Sequence, residues 1–176
     1  VSDLAMINIY YFKDGGELRK ELQYLLDNGI INGGEYQLPD ALRNMTQKGV
    51  KFVPGKVEEW LDCGNKNATV FTNSRILAFD YEKGVDLVDK SATITNSVII
   101  QPCFIAEGVE ILNSVVGPGV SVSQNSKILG SVIDNSIIYS HTTIKNKNFS
   151  NSMIGHFVSL EQKPEDLNIG DYSVEK

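Results

Sequence analysis

The stretch Glu58–Lys66, EEWLDCGNK, sets a carboxylate, a thiol and a glycine directly after an apolar pair. Trp60-Leu61 reads as the buried end of a strand, and Asn65 as the cap that starts a helix. Asp62 stands at that exit with two uses open to it. It is a turn residue bonding its own backbone, or it is a ligand offering hard oxygen. A second acidic position, Glu35, lies in the glycine-led stretch GGEYQLPDAL (Gly33–Leu42). The thiols Cys63 and Cys103 sit in unrelated contexts, with no CxxC pair and no disulfide framework, as a reducing cytoplasm would allow.

The elements that must hold these residues fall into two halves. At 176 residues, with 41% hydrophobic and 22% charged residues, the chain has the composition of a globular protein of one domain or two small ones. A net charge of −6 with no Lys/Arg stripe argues against nucleic-acid binding. No apolar run approaches the ~20 residues needed to span a bilayer, which argues against a membrane partner. The opening LAMINIYYF (Leu4–Phe12) reads as a strand buried on both faces of a parallel sheet, and so points to a chain lacking an N-terminal portion. Leu18, Leu22, Leu25 and Leu26 then recur at helical spacing up to Gly29. A second helix is predicted from about Leu38 to Lys48, with Pro39 in its first turn and Gly49 after it. VKFVP (Val50–Pro54) and KVEEWLD (Lys56–Asp62) read as short strands. A third helix follows, capped by Asn65, with Ala68, Phe71, Ile76 and Leu77 on or near its inner face. This order is that of the tail of an α/β domain, residues 1–84.

From about Ala92 the period changes. Ile94, Ile99, Ile105, Ile111, Val116, Val122, Ile128, Ile133, Ile138, Ile144, Phe149, Ile154 and Leu160 follow one another at gaps of five or six residues. Every third one, Ile94, Ile111, Ile128, Ile144 and Leu160, is spaced by 17, 17, 16 and 16 residues. Two residues before each anchor stands a small or β-branched residue, Lys147 excepted. This is the pattern of a triangular coil with one aliphatic per side stacked inward. Gly108, Asn113, Gly119, Asn125, Gly130 and Asn135 take the bends, where positive φ is tolerated. Its walls are nearly uncharged, which suggests self-association into a homo-oligomer. The glycines of VVGPGV (Val115–Val120) are bends of this coil rather than a phosphate loop. Residues 85–162 form the coil; 163–176 read as a polar tail without an assigned role.

Five copies of Asn or Gly, Ser and two apolar residues begin at Asn96, Asn113, Gly130, Asn135 and Asn151, a pattern that resembles the left-handed parallel β-helix of hexapeptide-repeat proteins. Ahead of it LAMINIYYF, GGEYQLPDAL and EEWLDCGN resemble, in order, the C-terminal half of the catalytic domain of bacterial sugar-phosphate nucleotidyltransferases, the glucose-1-phosphate thymidylyltransferase-like enzymes. The resemblance covers essentially the whole chain. It implies a partial Rossmann-like α/β domain followed by a β-helix, and joining of a nucleoside triphosphate to a sugar 1-phosphate with release of pyrophosphate. Asp62 matches the aspartate of that family's W-x-D-x-G motif and so is implied to bind catalytic Mg²⁺, an ion that takes one or two carboxylates together with substrate phosphates. Gly64 would keep the turn clear of those phosphates. Glu35 matches the glutamate of a G-E-x-x-(I/L)-T-D segment that accepts hydrogen bonds from sugar hydroxyls, as a carboxylate with two acceptor oxygens can. Gly33 and Gly34 either help that loop close on the sugar or are plain turn residues. Pro39 stands where the family has threonine, which removes any role of that hydroxyl.

The family's phosphate-cradling loop, its basic residues and its first metal aspartate would all precede residue 1, so this stretch alone is expected to have negligible activity. The resemblance to hexapeptide-repeat proteins also raises acyl transfer, for which His141 and His156 are the candidate bases and His156, at a bend after Gly155, is the better placed. For the coil itself the leading expectation is an oligomerisation or regulatory module.

Overall fold

The computed structural model describes residues 9–163 and 165–174. The chain divides into two compact units, Val1–Glu58 and Glu59–Lys176, whereas the sequence reading places the boundary after residue 84.

The first unit is a helix pair. Helix α1 (Gly15–Asp27) starts where Asp14 accepts from the Gly16 N–H, and α2 (Leu38–Gln47) starts on Pro39, whose missing N–H costs nothing in a first turn. Both predicted helices are present. They pack through buried Leu25, Ala41 and Met45, with Leu22 and Leu26 left exposed. Buried Glu21 receives the Lys48 ammonium at 2.5 Å. The three expected strands are not found among the described residues. Ile9–Phe12 is irregular, and the start of the predicted strand lies outside the described residues. Residues 50–62 are irregular as well. A strand is stable as part of a ladder, and among the described residues 50–62 has no strand beside it, so these residues show helices and extended connections and not the α/β sheet expected for residues 1–84.

The second unit is the parallel β-helix. Thirteen short strands (β1 Thr93–Thr95, β2 Val98–Ile99, β3 Cys103–Ile105, β4 Glu110–Leu112, β5 Val115–Val116, β6 Val120–Val122, β7 Lys127–Leu129, β8 Val132–Ile133, β9 Ser136–Ile138, β10 Thr143–Lys145, β11 Asn148–Phe149, β12 Ser152–Ile154, β13 Ser159–Glu161) wind into three parallel sheets. The sheets run β1-β4-β7-β10-β13, β2-β5-β8-β11 and β3-β6-β9-β12. The predicted stack is the observed register: Ile94 pairs with Ile111, Ile111 with Ile128, Ile128 with Ile144 and Ile144 with Leu160. From Ile105 to Ile144 every anchor is buried, and exposure returns only toward the ends of the coil. The six predicted bends all have positive φ, from 38° at Asn135 to 73° at Gly119.

The small residues two positions before the anchors do more than fit a narrow corner. Ser97, Ser114 and Ser131 accept, each through its hydroxyl, the backbone N–H one turn on, from Ser114, Ser131 and Lys147 at 3.1, 3.0 and 3.1 Å. Ser126 does the same for Thr142, and Ser136 for Ser152. A buried backbone donor without a partner is costly, so these serines supply a bond that strands of two or three residues leave unmade.

Helix α3 (Lys66–Glu82), present as predicted, lies on the β6-β9-β12 side of the coil. Its inner face is Val70, Asn73, Ser74 and Leu77; Phe71 and Ile76, expected there, are exposed. Asn73 accepts from the Ser121 hydroxyl at 2.6 Å and donates to the Gly119 carbonyl at 3.2 Å. Lys66 donates to the Asn151 carbonyl at 2.7 Å, and Asn151 donates to the Asn67 side chain. Gly119 makes the approach possible, since a Cβ there would lie 2.9 Å from the Ser74 hydroxyl.

Candidate functional site

Residues 59–65 run beside α3 and are stitched to it. Arg75 grips the Glu59 carboxylate with two bonds of 2.7 and 2.9 Å and lies over the Phe79 ring. That bond from Arg75 holds the Glu59 carboxyl below the usual carboxylate range. Thr72 donates to the Asp62 carbonyl at 2.6 Å, and Thr69 donates to the carbonyls of Cys63 and Asn65. Asn65 accepts from the Ala68 N–H and caps the helix as expected. The path of the chain through Asp62 is therefore fixed by hydroxyls of the helix that follows it. Neither Thr69 nor Thr72 was evident from sequence, although their spacing of three puts them on one face of α3.

Asp62 folds back on its own backbone. Its Oδ1 accepts from the N–H groups of Cys63 and Gly64 at 2.8 and 3.1 Å, the turn use of this residue. Its Oδ2 makes no hydrogen bond among the described residues, and the side chain is exposed. Gly64 serves this turn, since a Cβ there would sit 3.2 Å from Asp62 Oδ2. The preceding pair differs from expectation: Trp60 is 60% exposed and Leu61 half-buried, because no sheet among the described residues covers them. A free Oδ2 on a pinned carboxylate is one hard oxygen ligand. Among the described residues no three His, Cys, Asp or Glu side chains group around a metal position. A single oxygen of this kind is what Mg²⁺ takes alongside phosphates and water.

Glu35 and Gly34 belong to the first unit. Asn32 and Glu35 exchange backbone bonds of 3.0 and 3.2 Å across Gly33 and Gly34, whose φ values are 63° and 88°. Positive φ at both central positions is the geometry of a type I′ turn and accounts for the glycine pair. Behind the turn, buried Asp40 accepts from the Asn32 side chain at 2.5 Å and from Arg43 at 2.8 Å. Asp40 is thus the anchor of the loop, a role the sequence left unassigned. The Glu35 side chain is exposed and makes no hydrogen bond among the described residues.

Elsewhere, the Ser140 hydroxyl lies 2.8 Å from His156 Nδ1, with the Tyr139 ring at 4.8 Å. His141 stacks on Phe157 at 5.0 Å between ring centres. In VVGPGV the glycines are bends: φ is 110° at Gly117, where a Cβ would lie 2.0 Å from the Ile100 carbonyl oxygen. Cys63 is exposed and Cys103 buried, both free, and burial pushes the Cys103 thiol up. No helix among the described residues is long and apolar enough to cross a membrane.

No family model matches the chain. It is 27% identical over 192 residues to a glucose-1-phosphate thymidylyltransferase of Streptomyces antibioticus, covering 98% of this chain and 52% of that protein. The thymidylyltransferase of Streptomyces griseus is 24% identical over 98% of this chain and 52% of its own length. The bifunctional protein GlmU of Clostridium beijerinckii is 29% identical over 86% of this chain and 37% of its own. The chain thus spans about half the length, or less, of the curated relatives it matches. These similarities and the parallel coil fit the C-terminal hexapeptide-repeat part of a nucleotidyltransferase.

Proposed function

We propose that this chain is the C-terminal portion of a cytoplasmic sugar-phosphate nucleotidyltransferase that joins a nucleoside triphosphate to a sugar 1-phosphate and releases pyrophosphate. The observation that carries this reading is similarity to nucleotidyltransferases along 98% of the chain, through the segments that hold Glu35 and Asp62. In the complete enzyme Asp62 Oδ2 would serve as one ligand to Mg²⁺, which would supply charge neutralisation at the substrate phosphates, while Gly64 leaves room for the carboxylate to fold back. Glu35, carried on the turn that Gly33 and Gly34 permit, accepts from hydroxyls of the sugar. The coil serves oligomerisation or regulation. The test is the enzyme completed with its upstream segment, assayed with a panel of triphosphates and sugar phosphates. There Asp62→Asn, which keeps the shape and removes the charge, lowers turnover by orders of magnitude with the fold intact; unchanged rates would remove the metal assignment.

One observation favours a second reading, acyl transfer from the coil: the Ser140 hydroxyl lies 2.8 Å from His156 Nδ1 and gives this ring a partner that orients it, as a general base needs. Acetyl-coenzyme A turnover that is lost in His156→Ala supports it, and absence of turnover in the complete protein removes it.

A further inference from the structure

The two ends of the coil differ. At the first, residues 86–94 close it: Val88 bridges Ile105, the Ile105 N–H donates to the Leu87 carbonyl at 2.8 Å, and Leu87 is buried. At the other end, after β13, the last turn is uncovered. Ser152, Ile154 and Val158 are half-buried, whereas Ser136, Ile138 and Thr142, their counterparts one turn back, are fully buried. Open strand edges over apolar side chains invite pairing with another strand.

The chain carries a segment that fits. Aligned by corner, the windows Cys103–Glu110 (CFIAEGVE), Val120–Lys127 (VSVSQNSK), Ser136–Thr143 (SIIYSHTT) and Ser152–Ser159 (SMIGHFVS) are followed by Leu167–Val174 (LNIGDYSV). The starts are separated by 17, 16, 16 and 15 residues. The third residue of each window is Ile or Val, and the seventh is small or β-branched. The sixth has left-handed backbone in all five: φ is 64° at Gly108, 56° at Asn125, 58° at His141, 58° at Phe157 and 63° at Tyr172. A tyrosine in that region is uncommon outside such a corner. Yet Leu167 is 61% exposed, Ile169 59% and Val174 81%, with no packing in place to repay the ordering of that turn.

We propose that Leu167–Val174 is a fifth rung of the coil, which docks on the open end with Leu167 and Ile169 inward over Ser152 and Ile154, and Ser173–Val174 alongside β13. Its occupant is this chain's own segment, since five residues separate β13 from Leu167, enough to return around the coil. Asn168 faces outward in this arrangement, in the place of Met153 and Ile137.

Hydrogen exchange on the 176-residue chain tests this, with the amides of β6 and β9 as an internal reference for a folded coil. Ile169→Asp speeds exchange of the β12 and β13 amides at least tenfold, while Asn168→Asp leaves them unchanged, and protection in the parent chain is independent of protein concentration. Equal exchange in the parent and both variants overturns the proposal in favour of a solvated tail. Protection that grows with concentration overturns it in favour of docking onto a second copy. Should Ile169→Asp unfold the reference strands, deletion of residues 163–176 is used in its place, with the same expectation for β12 and β13.

Discussion

At the scale of single residues, the coil is written in hydrogen-bond donors and left-handed corners as much as in aliphatic anchors. Ser131 is fully buried, donates to the Leu129 carbonyl at 2.9 Å and accepts the Lys147 N–H at 3.1 Å. Ser131→Ala therefore orphans a donor at nearly constant volume and is expected to cost about 1–3 kcal/mol in chemical denaturation. Gly117→Ala is worse, because the new Cβ meets the Ile100 carbonyl oxygen at a φ of 110°; a loss above about 3 kcal/mol, or no folded protein, is expected. The sequence shows that these corner positions must be small, since the repeat places them. It does not show that the serines must be hydroxyl-bearing, because Cys103, Val109 and Val120 hold the same places without one. The candidate site is legible to a similar depth. Asp62 and Glu35 stand out by type and neighbours, but the groups that hold their segments, Thr72 and Asp40, act across a helix face or a loop that only coordinates reveal.

At the scale of elements, legibility follows what each element needs from outside itself. Helices α1, α2 and α3 carry their own backbone bonds and caps, so leucine spacing, Pro39 and Asn65 were enough to place them. The segments at 50–54 and 56–62 carry β-branched and aromatic residues as short strands do, but a ladder has two sides and the sequence shows one. The inner face of α3 holds Leu77 as expected but not Phe71 or Ile76, because half of it is polar: Asn73 and Ser74 sit between Val70 and Leu77, and amide and hydroxyl bonds replace apolar contact. This makes Asn73 the informative substitution. Asn73→Ala leaves the Ser121 hydroxyl without its acceptor and is expected to lower stability by about 1–2 kcal/mol and to loosen residues 59–65, seen as faster amide exchange there. The Glu59–Arg75 pair adds a pH signature. Because the Glu59 carboxyl is held below its ordinary value, its stabilising effect is present above the usual carboxylate range and fades as pH falls through the lowered value. Glu59→Gln should remove that part of the acid dependence from a melting-temperature series.

At the scale of the second unit as a whole, the three sides of the coil are chemically distinct, and the difference says where another copy can approach. One side is engaged by α3 through Asn73, Lys66 and Asn67. A second carries the ion pairs Glu110–Lys127 and Lys145–Glu161 at 2.8 and 2.7 Å. The third presents a column of registered residues, Val98, Val115, Val132 and Asn148, with no charge among them; Val98 is 56% and Val132 48% exposed. In a chain of net charge −6, that neutral side would let two copies meet without juxtaposing like charges. It is also narrow. Four strands at a spacing of about 4.8 Å give a patch of order 15 Å across, well below the ~800 Å² per partner of a stable interface. Self-association through it should therefore be weak, visible by sedimentation in roughly the micromolar to millimolar range, with Val132→Lys shifting the protein to monomer while leaving the unfolding transition nearly unchanged. A strict monomer at high concentration would remove the oligomerisation role from this side of the coil, and a dimer indifferent to Val132→Lys would move it to another surface.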